Sequence, residues 1–200
     1  MTRLTAFAVA MAGVFLLAGC GSILSAGPQP VIYGVNPDID VAKAKRAMPH
    51  QLTIEQPMAP RALDTDRVPI GLSDNAIQFV PNARFTDRIP TLVQRALAAG
   101  TERSGAFNAV AREELGLRTT FAVAGDLRRF GVENGEAIIE VSVAVIERRK
   151  AKIVGRETFI GKATISGQDA AMLARAYERA LAKVVGEATP FIVRTVRNGD

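Results

Sequence analysis

The sharpest hydrophobic pattern in the chain lies between Ala137 and Glu147, where Ile139, Val141, Val143 and Val145 alternate with Glu140, Ser142 and Ala144. A period of two sends one set to each face of a sheet, so this stretch is a strand. Asn134-Gly135 supplies a tight turn before it, preceded by Leu117 to Phe130, in which Thr119, Phe121, Val123 and Leu127 alternate. A second turn, Arg148-Arg149-Lys150-Ala151-Lys152, leads into Ile153 to Ile165. These three strands are most simply an antiparallel meander. Earlier, Leu52-Thr53-Ile54-Glu55 reads as a strand ended by Pro57 and Pro60. Arg67 to Leu72 and Ala76 to Val80 read as a hairpin across Ser73-Asp74-Asn75, and Phe107 to Ala111 as a short strand.

Two segments change to the helical period. Ile89, Leu92, Val93, Ala96 and Leu97 form one apolar stripe, with Thr86 or Asp87 as cap, Pro90 in the first turn and Gly100 as the stop. Near the end, Ser166 and Asp169 are spaced as a capping box. Ala170, Leu173, Ala174, Tyr177, Ala180, Leu181, Val184, Val185 and Ala188 follow as a longer stripe. The expected class is therefore α+β: a largely antiparallel mixed sheet of about six to seven strands, with two helices packed on one face.

The amino terminus belongs to another category. After Thr2-Arg3, an apolar run from Ala6 to Ala18 ends at Gly19-Cys20. A membrane span needs about 20 apolar residues, so this shorter run suits a signal peptide better. Leu17-Ala18-Gly19-Cys20 resembles the bacterial lipobox: a bulky residue, two small ones that admit a peptidase, and a thiol that can take a diacylglyceryl thioether. Three parts follow: residues 1–19 as lipoprotein signal peptide, 20–51 as lipid-anchored flexible tether, and 52–200 as the folded domain. The tether is rich in Gly, Pro and Ser, and about 30 residues of coil reach roughly 30 Å root-mean-square. Within it, Val31 to Val35 is an apolar patch able to dock as an edge strand, and Lys43-Ala44-Lys45-Arg46 reads as a solvated basic cluster. Cys20 is the single cysteine, so no disulfide forms within the chain and the domain stands on its apolar core.

Charge alters this picture only slightly. The whole chain carries a formal +5, which falls to +4 once Arg3 is removed with the signal. Its pI near 9.8 invites a nucleic-acid reading, but the arginines are dispersed and an exported protein seldom meets nucleic acid. Mild attraction to anionic lipid fits better.

Catalytic chemistry is poorly supplied. His50 is the only histidine and falls in the expected tether, with no second histidine or cysteine to share a metal. Gly155 to Gly161-Lys162-Ala163 has the wrong spacing for a phosphate loop and Ala where its metal-binding hydroxyl belongs. Asp64 with Asp66, and Glu113 with Glu114, are the carboxylate pairs; such pairs work as acid and base only when both face one cleft. Binding is the better-supplied alternative. Arg148, Arg149 and Lys150 form a basic hairpin tip, either a phosphate or acidic-partner contact or a turn kept soluble by charge. Phe79, Phe85, Phe107, Phe121, Phe130 and Phe159 either line a lipid groove or fill the core.

The order of these pieces resembles the ABC-type transport auxiliary lipoprotein family, whose members include the paraquat-inducible-type lipoproteins that accompany MCE-domain transport systems. The residues that carry the resemblance are Tyr33 after the lipobox, Pro60-Arg61-Ala62-Leu63-Asp64-Thr65-Asp66-Arg67-Val68, and Phe79-Val80-Pro81-Asn82-Ala83-Arg84-Phe85-Thr86-Asp87-Arg88-Ile89-Pro90. Phe79 stands where the family favours Tyr and Phe85 where it favours Trp; each keeps an aromatic ring and loses a polar edge. The resemblance implies a non-enzymatic subunit anchored through acyl chains on Cys20, without other cofactors. It further implies the inner leaflet of the outer membrane as location, because Gly21 replaces the aspartate of an inner-membrane retention signal. Implied partners are an MCE-domain protein, phospholipid and further copies of the chain. Tyr33, Phe79, Arg84, Phe85, Arg148, Arg149 and Lys150 are the candidate lipid- or partner-binding residues. The rival reading is a periplasmic adaptor lipoprotein that regulates an envelope enzyme.

Overall fold

The computed structural model describes residues 29–73, 76–115, 119–167 and 169–199. The apolar leader, the lipobox with Cys20, the turn residues Asp74 and Asn75, and Leu117 lie outside them. Among the described residues the strands are β1 (Val31–Tyr33), β2 (Met48–Ile54), β3 (Arg67–Ser73), β4 (Ala76–Phe85), β5 (Phe107–Arg112), β6 (Phe121–Glu133), β7 (Glu136–Glu147) and β8 (Lys152–Thr164). The helices are α1 (Ile89–Arg103) and α2 (Ala170–Asn198).

The expected meander is present: β6, β7 and β8 are antiparallel neighbours. Asn134 and Gly135 both have positive φ (50° and 78°), the backbone a tight two-residue hairpin turn requires. The α+β class holds, with one refinement: the strands form two sheets, ordered β1-β4-β3 and β5-β2-β6-β7-β8. The hairpin β3–β4 makes its own sheet because the free edge of β4 is taken by β1, in parallel. Parallel pairing also joins β2 to both β5 and β6. Such long-range pairings leave no local trace in a hydrophobic pattern. β3 is an edge strand, which accommodates Pro69 and its missing donor.

Ile139, Val141, Val143 and Val145 are fully buried beneath the helices. Helix α2 packs on β7 and β8, α1 packs on β5, and the helices pack on each other. The α1 stripe is buried as expected, but neither Thr86 nor Asp87 caps it. The cap position falls at Arg88, with no side-chain bond. The first helical amide, of Ile89, instead donates to the Thr65 carbonyl at 2.9 Å. Gly100 does not stop the helix, which continues to Arg103. A Cβ at Gly100 would lie 2.3 Å from Val185 Cγ1, so the glycine marks where α2 crosses α1. In α2 the cap is Asp169, whose carboxylate accepts from the Met172 amide at 2.7 Å; Ser166 lies outside the helix.

The glycines that mimic a phosphate loop serve packing. A Cβ at Gly155 would meet Thr195 Cγ2 at 2.6 Å, and one at Gly161 would meet the Ala180 carbonyl oxygen at 1.9 Å. Both let α2 lie close on β8.

The largest correction concerns the expected tether. The compact unit begins at Val31, not near Leu52. Tyr33 pairs with Phe85, and the patch docks as an edge strand as expected. Val35 and Ile39 are then buried in the core. The Asn36 amide donates to Glu178 at 2.9 Å, and the Ala44 amide to the Ser104 carbonyl at 2.8 Å. Residues 34–47 therefore form a strap across the helices. Of the strap's apolar side chains only Val35 and Ile39 are fully buried, too few to show a period, which is why the sequence reads as coil there.

Candidate functional site

The two long segments that carry the family resemblance fold against each other. The backbone of 60–66 makes a compact turn, with the Leu63 and Asp64 amides donating to the Pro60 carbonyl at 2.8 and 3.1 Å. That turn receives β4 and the start of α1: the Phe85 amide donates to the Asp66 carbonyl at 2.7 Å, and the Thr86 amide to the Tyr33 carbonyl at 3.0 Å. Side chains repeat the connection. Arg84 pairs with Asp66 at 2.5 Å and Arg88 pairs with Asp64. The Arg67 guanidinium lies 4.2 Å from the centroid of the Phe79 ring, a cation–π distance. Each of the two acids is thus matched by its own arginine.

Phe85 points inward from this latch. It meets Phe130 and Tyr177 edge-on, at centroid distances of 6.0 and 5.9 Å, while Phe130 and Tyr177 stack at 4.4 Å. The Tyr177 hydroxyl donates to the Pro69 carbonyl at 2.8 Å, and its burial raises the phenol pKa above the ordinary value. Phe107, Phe121, Phe130 and Phe159 are core residues as well. Of the six phenylalanines, only Phe79 stays partly exposed. The lipid-groove reading of this set is therefore replaced by a core reading.

The structure brings Tyr33, Phe79, Arg84 and Phe85 to the latch, while Arg148, Arg149 and Lys150 stand on the turn between β7 and β8. Much of that basic tip is neutralised: Arg148 pairs with Glu55 at 2.9 Å and Lys150 with Glu147 at 3.0 Å. Arg149 is exposed and belongs to no ion pair among the described residues. His50 is not in a tether but in β2, buried edge-on to Phe121 at 5.2 Å. Glu113 opens a short 3-10 turn after β5 and is exposed.

Several shallow crevices open on the described surface, and two of them have apolar walls beside α2. One, of about 390 Å³, lies between Ile70, Val132, Ile165 and Leu173 at the start of α2. The other, of about 200 Å³, lies between the strap and the second half of α2 and is rimmed by Lys43, Arg194 and Arg197. The sequence gives no sign of this second crevice, since Lys43 reads there as part of a solvated coil and nothing in the pattern joins residue 43 to residue 194. Among the described residues no cluster of three or more His, Cys, Asp or Glu could hold a metal, and no helix is long and apolar enough to cross a membrane.

The class so defined is a small two-sheet α+β module whose signature segments brace the fold. The family model of the ABC-type transport auxiliary lipoprotein component matches residues 33–188, from β1 to late in α2. The chain belongs to that family, so it is a lipoprotein-type auxiliary component of ABC transport. Among solved structures, a protein from Xanthomonas campestris is similar with a TM-score of 0.75 at 24% identity, covering 84% of this chain and 98% of that one. Another, described only as uncharacterised, gives a TM-score of 0.64 at 13% identity, covering 82% and 99%. At these identities the likeness establishes the fold. A comparison with curated proteins found no match.

Proposed function

We propose that this chain is the non-catalytic, lipid-anchored auxiliary subunit of an MCE-type ABC system that moves phospholipid between membranes. In this reading, cleavage before Cys20 and acylation of its thiol hold the domain at the inner leaflet of the outer membrane, facing the periplasm. Each buried methylene contributes about 0.8 kcal/mol, so two or more chains make the attachment stable. ATP hydrolysis belongs to another subunit. The observation that carries the reading is the family match over residues 33–188, downstream of a lipobox-like Leu17–Cys20. The pairing of Asp64 and Asp66 with arginines supports it, because it gives those residues a structural task.

Genetic complementation tests the reading. Deletion is expected to disturb phospholipid distribution in the envelope, with rescue by the wild-type chain and not by Cys20→Ser. No lipid defect on deletion, or full rescue by the unacylated form, contradicts it.

A further inference from the structure

The crevice under the strap combines features that the fold does not require. Its apolar walls include Val41, Pro190 and Val193, and Lys43, Arg194 and Arg197 stand at its rim. All three cations are exposed, and none belongs to an ion pair among the described residues. Of the strap's two acids, Asp38 lies 3.8 Å from Arg103, and Asp40 is exposed and is not among the residues that line the crevice. Arg197, in the last turn of α2, complements the helix dipole. Lys43 has no such task; the strap delivers it to the other side of the same opening.

Thr189 also lines the crevice but is 1% exposed, and its Oγ1 lies against Gly100 in the crossing of α1 and α2, 3.0 Å from where a Cβ on that glycine would stand, so the hydroxyl belongs to the helix contact.

Unpaired cations around an apolar crevice are complementary to an amphiphile with an anionic head. A free anion would gain nothing from the apolar walls. At about 200 Å³ the space is below the roughly 300–1,000 Å³ of small-molecule sites. It therefore suits a headgroup and the first part of one acyl chain, not an entire lipid. We propose that the crevice between the strap and α2 binds the phosphate headgroup and adjoining acyl segment of an anionic phospholipid, through Lys43, Arg194 and Arg197 at its rim and Val41, Pro190 and Val193 in its walls. The choice of phospholipid over other anionic amphiphiles rests on the transport reading above.

The test uses the purified acylated full chain in detergent, titrated with short-chain phosphatidylglycerol, short-chain phosphatidylcholine and inorganic phosphate. Phosphatidylglycerol should bind saturably, with phosphatidylcholine weaker by about tenfold or more. The combined Lys43→Glu, Arg194→Glu, Arg197→Glu variant should lose binding to a similar degree, at unchanged thermal melts. Should the combined variant fail to fold, Arg194→Gln alone is read in its place. Equal binding of the two lipids, undiminished binding by the rim variant, or displacement by equimolar inorganic phosphate overturns the proposal. Co-purification of an MCE-domain protein is scored separately. Its loss with lipid binding intact sinks the transport reading and leaves the crevice standing; the converse sinks the crevice alone.

Discussion

Tyr177 is completely buried yet carries a hydroxyl, and the Pro69 carbonyl of β3 is what satisfies it. Removing that bond in Tyr177→Phe should cost about 0.5–1.5 kcal/mol at neutral pH, measured by chemical denaturation. The same burial raises the phenol pKa above its usual 10.0, so the folded state favours the protonated form. That stabilisation is whole below about pH 10 and is lost as pH rises beyond it. Wild-type stability should therefore fall above about pH 10, and Tyr177→Phe should lessen the fall; an identical alkaline loss in both proteins contradicts this. Phe85, clamped between Phe130 and Tyr177, is the costlier residue to truncate, and Phe85→Ala should lose about 3–5 kcal/mol in a urea titration. A pattern of aromatics marks these residues as important but does not say for what. Phe79 and Phe85 occupy equivalent positions in the reading from sequence, and only the folded chain shows one outside under Arg67 and the other in the core.

Helices show where local signals suffice and where they fail. Both apolar stripes are legible in the sequence, because apolar side chains at every third or fourth position line one side of a helix and would scatter over both faces of a strand. Gly100 reads as a stop, since glycine is a common end signal and its alternative use, a close crossing of α1 and α2, depends on a partner far along the chain. Gly161 is equally ambiguous beside Lys162, and its meaning comes from the Ala180 backbone lying over β8. Alanine at Gly100 should destabilise by about 1–3 kcal/mol, the range for overpacking. Alanine at Gly161 should cost more, because the obstacle is backbone and cannot swing aside. Gly186 is the control: a Cβ there meets nothing closer than the Asp40 carbonyl oxygen at 3.6 Å, so Gly186→Ala should be neutral or stabilising by up to about 1 kcal/mol. Thermal melts of the three variants decide the order.

On the scale of the whole molecule, the strap is the part least visible in sequence and most consequential for the boundary of the domain. Val35 and Ile39 are 7% and 3% exposed. Burying each contributes about 1.5–3 kcal/mol, a large share of the roughly 5–15 kcal/mol that holds a typical domain. A chain begun at Leu52 should therefore fail to show a cooperative melt, whereas one begun at Pro30 should melt like the mature protein. Equal melts would remove the strap from the fold. The family to which the chain belongs is legible because its two signature segments build the latch, and residues that brace a fold tolerate little change of type. The crevice is not legible, because it joins the strap to a distant helix turn and no single segment carries it.

Capture of the acylated protein from native membranes tests the central claim most directly. The account predicts that an MCE-domain protein co-purifies, together with the permease and ATPase of an ABC system. Repeated recovery of a cell-wall enzyme in its place, with no transporter subunit, would contradict it.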